Sequence, residues 1–184
     1  MSGPAARIPL RPMPVRPILK FGDPVLHAPS APVADIDAGI RQLFDDMVAT
    51  MYAAPGIGLA APQIGVPLRV IVVDLSVGED DKQLIRLVNP EFVERDGEQH
   101  EEEGCLSVPG YGASPVRPAR VVVKGLGPDG KERIYTGTDL LARAFCHEID
   151  HIDGLLFVDR LTPLKRDLMK RKLRKKARAG DWEE

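Results

Sequence analysis

Apolar residues recur at intervals of three and four between positions 36 and 54, the spacing that places side chains on one face of a helix. The residues at this spacing are Ile36, Ile40, Leu43, Phe44, Met47, Val48 and Met51. Asp35 or Asp37 is a suitable N-cap, and Pro55 ends the helix. The pattern predicts an amphipathic helix whose two methionines belong to the core.

The middle of the chain carries short runs rich in β-branched residues, which favour strands. The predicted strands are residues 68–75, 85–93, 99–108, 121–126 and 131–138, with a break in the second at Pro90. The turn Gly127-Pro128-Asp129-Gly130 separates the last two strands and predicts a hairpin. Residues 18–33 are broken by prolines and predict a loop with one short strand.

The segment from Gly56 to Gly65 (GIGLAAPQIG) consists almost entirely of glycine and apolar residues. It is too rich in glycine for a strand, and it lacks the polar residues of an exposed loop. Small residues let the backbone come close to a ligand or another strand. Gln63 is the only side chain in the segment with a hydrogen-bonding group. A phosphate-binding loop is disfavoured, because no Lys, Ser or Thr follows the glycines.

Two more helices are predicted near the C-terminus. The first is capped by Thr138 or Asp139 and ends at Gly154. The second begins at Pro163 and contains no helix breaker up to residue 178. A helix, then many short strands, then helices favour an α+β fold. In this fold, mainly antiparallel short sheets pack around a central helix, and a further helix lies at the C-terminus.

The composition is that of a globular protein, with 43% hydrophobic and 28% charged residues in a chain of 184. No apolar run reaches the ~18 residues of a membrane span, so no membrane partner is expected. Two cysteines do not make a disulfide framework and favour a reducing compartment. The bacterial cytoplasm is favoured, with an organelle left open. Residues 1–17 contain five prolines and three arginines and predict an extended arm.

The helix predicted between Thr138 and Gly154 contains His147-Glu148-Ile149-Asp150-His151. Residues four apart lie on one face of a helix, so the two imidazoles project together and can bind one metal ion. Glu148 can reach a metal-bound water as general base without occupying a coordination position. The alternative is a pair of surface histidines. With only four histidines in the chain, this spacing around a glutamate favours the metal site.

A catalytic site of this type needs a third protein ligand. The extended peptidase pattern would place it at position 157, which is phenylalanine, and no glutamate occurs between residues 152 and 182. The upstream candidates are Cys105, Cys146, His27, His100 and several acids. Cys105 gives the best completion, a Cys/His/His site, although an isolated cysteine is more often structural.

Three motifs together closely resemble those of the peptide deformylases. They are GIGLAAPQ at 56–63, EGCLS at 103–107 and HEIDH at 147–151, and the likeness extends over roughly residues 16–165. The resemblance implies a metal-dependent hydrolase that removes the N-formyl group from the initiator methionine of nascent polypeptides. Residues 18–164 would then form the catalytic domain, between the arm at 1–17 and a basic tail at 165–184.

The resemblance also implies roles for individual residues. Cys105, His147 and His151 would be the metal ligands, and Glu148 the general acid and base. Gln63 and the backbone N–H of Leu106 would bind the oxyanion. The implied substrate-binding residues are Gly56, Ile57, Gly58, Gly104, Gly110, Leu140, Arg143 and Ala144. The implied cofactor is one divalent ion per chain, Fe²⁺ in the cell, with Zn²⁺, Ni²⁺ or Co²⁺ able to substitute.

Two of the implied features need structural detail. Arg143 is the least expected residue in a pocket for methionine, and the sequence leaves open whether it lines the rim or is solvated. Glu103 and Arg117 would form a buried ion pair that stiffens the cysteine loop.

Residues 163–180 carry nine Lys or Arg and one Asp in a chain of net charge −2, so the remaining chain is acidic. Leu164, Leu168 and Leu173 form a thin apolar stripe, and most of this helix is predicted to be solvated. A basic helix attracts polyphosphate, which makes the ribosome the predicted partner of residues 163–178. An acidic body does not favour DNA. A charged terminal helix without a partner remains the alternative.

Two other functions are weighed against the hydrolase. An HExxH metallopeptidase lacks its downstream third ligand in this chain. A non-catalytic structural metal site would need a closed four-ligand set, and no second cysteine or histidine stands at a finger-like spacing from Cys105. A nucleic-acid-binding protein would rest on the basic tail alone, which an acidic body does not favour.

Overall fold

The computed structural model describes residues 14–182, so most of the predicted N-terminal arm lies outside the described residues. The helices are α1 (Ala38–Ala53), α2 (Asp139–Ile152) and α3 (Pro163–Ala179). The strands are β1 (Gly58–Ala60), β2 (Val70–Val73), β3 (Ile85–Asp96), β4 (Glu103–Gly104), β5 (Gly112–Ala113), β6 (Arg120–Leu126) and β7 (Glu132–Thr138). Short 3₁₀ helices cover Pro24–His27, Ala61–Ile64, Asp81–Gln83 and Phe157–Arg160.

Five strands form one antiparallel sheet in the order β1-β2-β3-β6-β7, and β4 pairs with β5 in a separate two-stranded sheet. The predicted α+β class with mainly antiparallel pairing is confirmed. The predicted hairpin is β6–β7, and α1 is capped as expected by Asp37, whose carboxylate accepts a hydrogen bond from the N–H of Ile40. No described helix is long and apolar enough to cross a membrane.

The five-stranded sheet lies between α1 and α2, as the alternating contacts of strand β2 show. Ile71 and Val73 belong to the apolar cluster that α2 covers, whereas Val70 and Val72 belong to the cluster that α1 covers. Successive residues of a strand point to opposite faces, so a strand buried on both sides is apolar at every position. This arrangement holds α2 against the sheet, including the short edge strand β1.

Several strand predictions were wrong in detail. Strand β3 runs without a break through Pro90, because a register shift between Val88 and Glu91 removes the need for a proline N–H. Asn89 supports this bulge at φ 50°, and its side chain exchanges two hydrogen bonds with the backbone of Val33. The glycine-rich segment, predicted to be no strand, supplies β1, which pairs with β2.

The predicted strand over 99–108 is mostly loop. Only Glu103 and Gly104 pair, with Gly112 and Ala113, and Gln99 makes a single bridge to Arg117. The segment from 18 to 33 forms a 3₁₀ helix and one isolated bridge rather than a strand.

Helix α3 packs against the body of the protein through a different stripe from the predicted one. Leu173 is fully buried against a cluster that includes Phe21, Val108 and Phe157, with Met169 and Ala177 beside it. Leu164 and Leu168 are 71% and 49% exposed, because they lie on another face of the helix.

Candidate metal centre

Helix α2 brings the two histidines of the HExxH motif together. His147 and His151 are one turn apart, and their Nε2 atoms are 3.1 Å from each other. His151 is buried, and His147 lies partly exposed at the cleft. Gly154 follows the end of α2, has φ +79° and lies against the backbone of Ala28, so no side chain fits there.

The loop between β4 and β5 brings Cys105 to the histidines. Its Sγ lies 3.3 Å from Nε2 of His151, and the three candidate ligand atoms of Cys105, His147 and His151 are all within 4.8 Å of one another. The N–H of Ser107 donates to the same sulfur at 3.4 Å, which helps to fix it. Cys146, the other cysteine, is buried among apolar side chains and is not part of this group.

The three side chains fit a divalent metal ion. Bonds of about 2.0–2.3 Å to nitrogen and sulfur in tetrahedral geometry require ligand atoms somewhat more than 3 Å apart, as found here. Burial lowers the pKa of His151, which favours the neutral imidazole that a metal ligand must be. Two imidazoles and one cysteine sulfur form a metal-binding triad.

Glu148 lies beside the triad without joining it. The residue is only 4% exposed, and its Oε2 has no hydrogen-bond partner among the described residues. Burial raises the pKa of Glu148 to about 7. Gly58 on β1 is directly opposite, and any side chain there would collide with the carboxylate. This contact gives a physical reason for the glycine at 58.

Gln63 is held in one orientation by the turn that carries it. Its Oε1 accepts a hydrogen bond from the N–H of Ala60 at 2.9 Å, and its Nε2 donates to Oγ of Ser107 at 3.1 Å. The same Nε2 is 3.8 Å from Sγ of Cys105. The amide N–H groups of Gln63 therefore lie at the metal-binding triad.

The segment that precedes the first 3₁₀ helix holds both motif loops. Leu19 donates its N–H to the carbonyl of Gln63 at 2.7 Å, and Phe21 donates to the carbonyl of Ser107 at 2.9 Å. Lys20 Nζ donates to the carbonyl of Leu106 at 3.3 Å. Sequence reasoning missed this bridge, because nothing in residues 19–21 indicates which backbone groups they meet.

A buried chain of charges lies behind the triad. Arg117 bonds Glu103 and Asp150, each at 2.6 Å, and Arg160 bonds Asp150 at 2.7 Å. Glu103 also approaches Nδ1 of His147 at 3.7 Å. Burial alone would raise the pKa of Glu103, but the nearby imidazole of His147 and the hydrogen bonds from Arg117 outweigh it and lower the pKa.

The structure contains the Glu103–Arg117 pair that the resemblance implies, whereas Asp150 and Arg160 were missed. The available signal was an acidic residue between Ile149 and His151 on a helix expected to be buried.

An open cleft of about 420 Å³ leads to His147, Glu148, Gln63 and Cys105. The predicted substrate-binding residues that line it are Gly56, Ile57, Gly58, Gly104, Leu140, Arg143 and Ala144, together with the predicted oxyanion residue Leu106. Gly110 is the exception: it lies on an exposed turn and is not part of the lining. Three lining residues were not predicted to lie there: Pro55, Glu102 and Glu103, the last of which was expected only in the ion pair with Arg117.

Comparisons with known proteins agree with this geometry. The family profile described as polypeptide deformylase matches residues 15–167. A peptide deformylase of Acidobacterium capsulatum is 51% identical over 170 residues, which cover 92% of this chain and 100% of the relative. A peptide deformylase of Legionella pneumophila has a solved structure with a TM-score of 0.83 and 47% identity, covering 93% of this chain and 100% of the other.

A third structure, a peptide deformylase of Synechococcus elongatus in complex with actinonin, has a TM-score of 0.79 and 38% identity and covers 85% of this chain and 87% of the other. The family profile matches most of the sequence, and about half of the aligned residues are identical to those of a full-length relative. The similarity therefore extends beyond the fold to the sequence itself. This chain belongs to the peptide deformylase family.

Proposed function

We propose that this chain hydrolyses the N-formyl group of the initiator methionine of nascent polypeptides, releasing formate, at the cleft that leads to the metal-binding triad. The observation that carries the proposal is the convergence of the triad, the unpartnered carboxylate of Glu148 and the amide of Gln63 at one point. Removal of the formyl group is the reaction of the family to which the chain belongs.

Cys105, His147 and His151 would hold the metal ion. A divalent ion bound there supplies a Lewis acid, which makes water a better nucleophile and polarises the formyl carbonyl. We propose Fe²⁺ as the resident ion, in line with the resemblance. A set of one sulfur and two imidazole ligands also suits Zn²⁺, Ni²⁺ and Co²⁺.

Glu148 would move the proton. It would take a proton from the attacking water and give it to the nitrogen that leaves as the amine of methionine. A pKa of about 7 suits both directions of transfer near neutral pH. Because its Oε2 has no partner among residues 14–182, no protein hydrogen bond has to break when the proton arrives.

Gln63 and the backbone N–H of Leu106 would stabilise the oxyanion. The turn at Ala60 and the hydroxyl of Ser107 fix the amide of Gln63 before the substrate arrives. Such preorganised donors need no rearrangement during the reaction, and one of them typically lowers the activation barrier by about 3 kcal/mol.

The substrate would bind as an added strand. β1 is an edge strand of the five-stranded sheet, and it pairs with β2 on one side only. Gly56 and Gly58 line the cleft. The N–H of Gly56 already donates to the carbonyl of Met51, so an extended peptide would pair with the outer edge of β1 at Gly58. Ile57, Leu140 and Ala144 offer an apolar surface for the methionine side chain.

The first experiment measures formate release from formyl-Met-Ala-Ser by anaerobically purified, Fe²⁺-loaded protein, beside Glu148→Gln with its metal content determined. Rapid release by the wild type and its loss in a variant that still holds metal would support both the reaction and the role of Glu148. No release by fully metallated wild type, with casein cleaved instead, would overturn the proposal in favour of a metallopeptidase.

The actinonin complex of the Synechococcus relative suggests a second readout. If this chain uses its cleft as proposed, actinonin should inhibit formate release competitively with formyl-Met-Ala-Ser. A Leu140→Arg change, which places a charge on the apolar lining, should weaken the inhibition. An inhibition constant unchanged by this substitution would place actinonin, and with it the substrate, elsewhere.

We also propose that the exposed face of α3 docks on the ribosome, in the cytoplasm where nascent chains emerge. The exposed basic residues of the helix are Lys165, Arg171, Lys172, Arg174, Lys175 and Arg178. Neutralising cations that contact phosphate weakens binding and flattens its salt dependence.

This second proposal has a test that leaves the fold intact. A variant with Arg171, Lys172 and Lys175 changed to glutamine should lose affinity for ribosomes at low salt, whereas a control with Arg120 and Arg133 changed to glutamine should keep it. Equal affinities of the two variants would overturn the docking proposal without affecting the enzymatic one.

A further inference from the structure

Arg143 is a cation held at the cleft by a specific support. It lies on α2 between Leu140 and Ala144, both of which line the same cleft. Its Nη1 donates to Oε1 of Gln99 at 2.8 Å. The sequence left open whether this arginine lines the rim or is solvated, and the structure places it in the lining.

The support itself is rigid. The Nε2 of Gln99 donates to the carbonyls of Pro118 and Asp139 at 2.8 and 2.9 Å, which orients its oxygen towards Arg143. The backbone of Gln99 exchanges two further hydrogen bonds with Arg117, the centre of the buried charge chain. An arginine that was merely solvated would need none of these contacts.

Most of the guanidinium remains available. Within residues 14–182, no carboxylate lies within salt-bridge distance of Arg143, and only its Nη1 has a protein acceptor. The other carboxylates of the cleft do not neutralise Arg143. Glu103 is paired with Arg117, and Glu148 is buried at the triad. Glu102 is exposed and packs over Gly112 on β5.

We infer that Arg143 is a specificity-determining residue that favours nascent chains with an acidic side chain in one of the two positions after the formyl-methionine. A guanidinium presents its donors in a planar fork that matches a carboxylate. Leu140 and Ala144 flank Arg143 and are proposed to contact the methionine side chain. Two extended residues cover ~7 Å, which lies within reach of an arginine side chain.

This inference rests on the proposed function, and its test compares two rates within one protein. Two pairs of substrates are compared, all as C-terminal amides. Formyl-Met-Glu-Ser and formyl-Met-Gln-Ser test the first position after the methionine, and formyl-Met-Ala-Glu and formyl-Met-Ala-Gln test the second. Amidation leaves the side chain as the only carboxylate of the peptide. The measured quantity is the ratio of kcat/KM for the acidic peptide to kcat/KM for its glutamine counterpart. Losses of metal or of folded protein affect both rates equally and cancel.

We expect a ratio of about two to five for the wild type at low salt in at least one of the two positions, as for a partly exposed ion pair. The ratio should fall to about one in Arg143→Gln, below one in Arg143→Glu, and stay above one in Arg143→Lys. It should also decline towards one as NaCl screens the pair. Arg133→Gln, which removes a cation outside the cleft, should keep the wild-type ratio.

Two results would overturn the inference. One is a wild-type ratio of one or less in both positions at low salt, which would mean that Arg143 meets only groups common to all peptides. The other is a ratio that stays the same in Arg143→Gln. If no peptide releases formate, the proposed function itself fails. Rapid release with a ratio of one refutes only the role of Arg143.

Discussion

Helices α2 and α3 follow one another in the chain, and both are rich in ionisable residues, yet they place these residues in opposite surroundings. α2 buries Glu148, Asp150 and His151 to 5% exposure or less, and two of them are fixed by ion pairs or by the metal-binding triad. In α3, Leu173 is the only buried residue, and six of the nine cations are exposed. A buried polar group is costly without its partners, whereas an exposed one is solvated by water.

The comparison has a functional side. Asp150 and His151 of α2 cannot change independently of their surroundings, because Asp150 is paired with Arg117 and Arg160 and His151 belongs to the metal-binding triad. The exposed cations of α3 can be replaced singly with little effect on the fold. Chemistry at a fixed geometry suits the first helix, and a salt-dependent docking surface suits the second.

The largest effect is expected for Arg117→Met. The substitution leaves Glu103 and Asp150 buried with fewer partners, and breaking a buried charge network by removing one member typically costs about 3–5 kcal/mol. Urea denaturation should show this loss in the free energy of unfolding. Arg120→Met, which removes an exposed pair with Glu94, should cost less than about 1 kcal/mol. Similar losses for the two variants would contradict the contrast between buried and exposed charge.

The second prediction tests the exception within α3. Leu173→Ala should lower the free energy of unfolding by about 2–4 kcal/mol, because it leaves a cavity against Phe21 and Phe157. Leu168→Ala, on an exposed face of the same helix, should change it by no more than about 0.5 kcal/mol. Thermal or urea unfolding measures both variants. A larger loss of unfolding free energy for Leu168→Ala than for Leu173→Ala would contradict the observed packing and favour the apolar stripe predicted from the sequence.

The sequence could predict features that depend on neighbours along the chain. The four-residue spacing of His147 and His151 is a property of any helix, and the turn at 127–130 closes a hairpin locally. Strand β3 could not be predicted in full, because the bulge at Pro90 relies on Asn89 bonding to Val33, which is 56 residues away. Strand β1 was missed for a similar reason: its Gly58 is explained by Glu148, on a different element.

The site shows the same division. The resemblance named the ligands and the residues of the motifs, and the structure brings most of these together around one cleft. The residues that support them lie outside the motifs: Lys20 at Leu106, Gln99 at Arg143 and Arg160 at Asp150. Lys20 and Gln99 contact segments far away in the sequence, and Arg160 forms a half-exposed ion pair. Contacts of these two kinds produce no periodic pattern in the sequence.

The third prediction extends the rule for buried charge to the end of β2. The carboxylate of Asp74 is fully buried and accepts hydrogen bonds from Tyr52 at 2.5 Å, from Ser76 and from Gly78. Burial alone would raise the pKa of Asp74, but these hydrogen bonds outweigh it and hold the pKa below its usual value. We expect Asp74→Asn to lower the free energy of unfolding at neutral pH by about 2 kcal/mol, as for a lost charge-assisted hydrogen bond.

The pH dependence of this effect gives the check. A lowered pKa in the folded state contributes stability that is complete above the unfolded value of about 4 and disappears as the pH falls through the folded value. The difference between wild type and Asp74→Asn, measured by urea denaturation, should therefore be constant from pH 7 to about 5 and shrink below pH 4. A difference that grew on acidification would show that the carboxylate is destabilising in its charged form.

The smallest effect is expected for Arg160→Met, at the boundary between the two surroundings. The side chain of Arg160 is 46% exposed, but its partner Asp150 is buried and keeps a second bond to Arg117. We therefore expect a loss of only about 1 kcal/mol in the free energy of unfolding, between the values for Arg117 and for a surface pair. Arg133→Met, which removes an exposed pair with Asp129, should cost close to nothing. Because Asp150 adjoins His151, the rate at which a chelator removes the metal should rise modestly in Arg160→Met and stay unchanged in Arg133→Met. Equal stability and equal rates of metal loss in the two variants would mean that Asp150 is fixed by Arg117 alone, and that the buried chain of charges ends there.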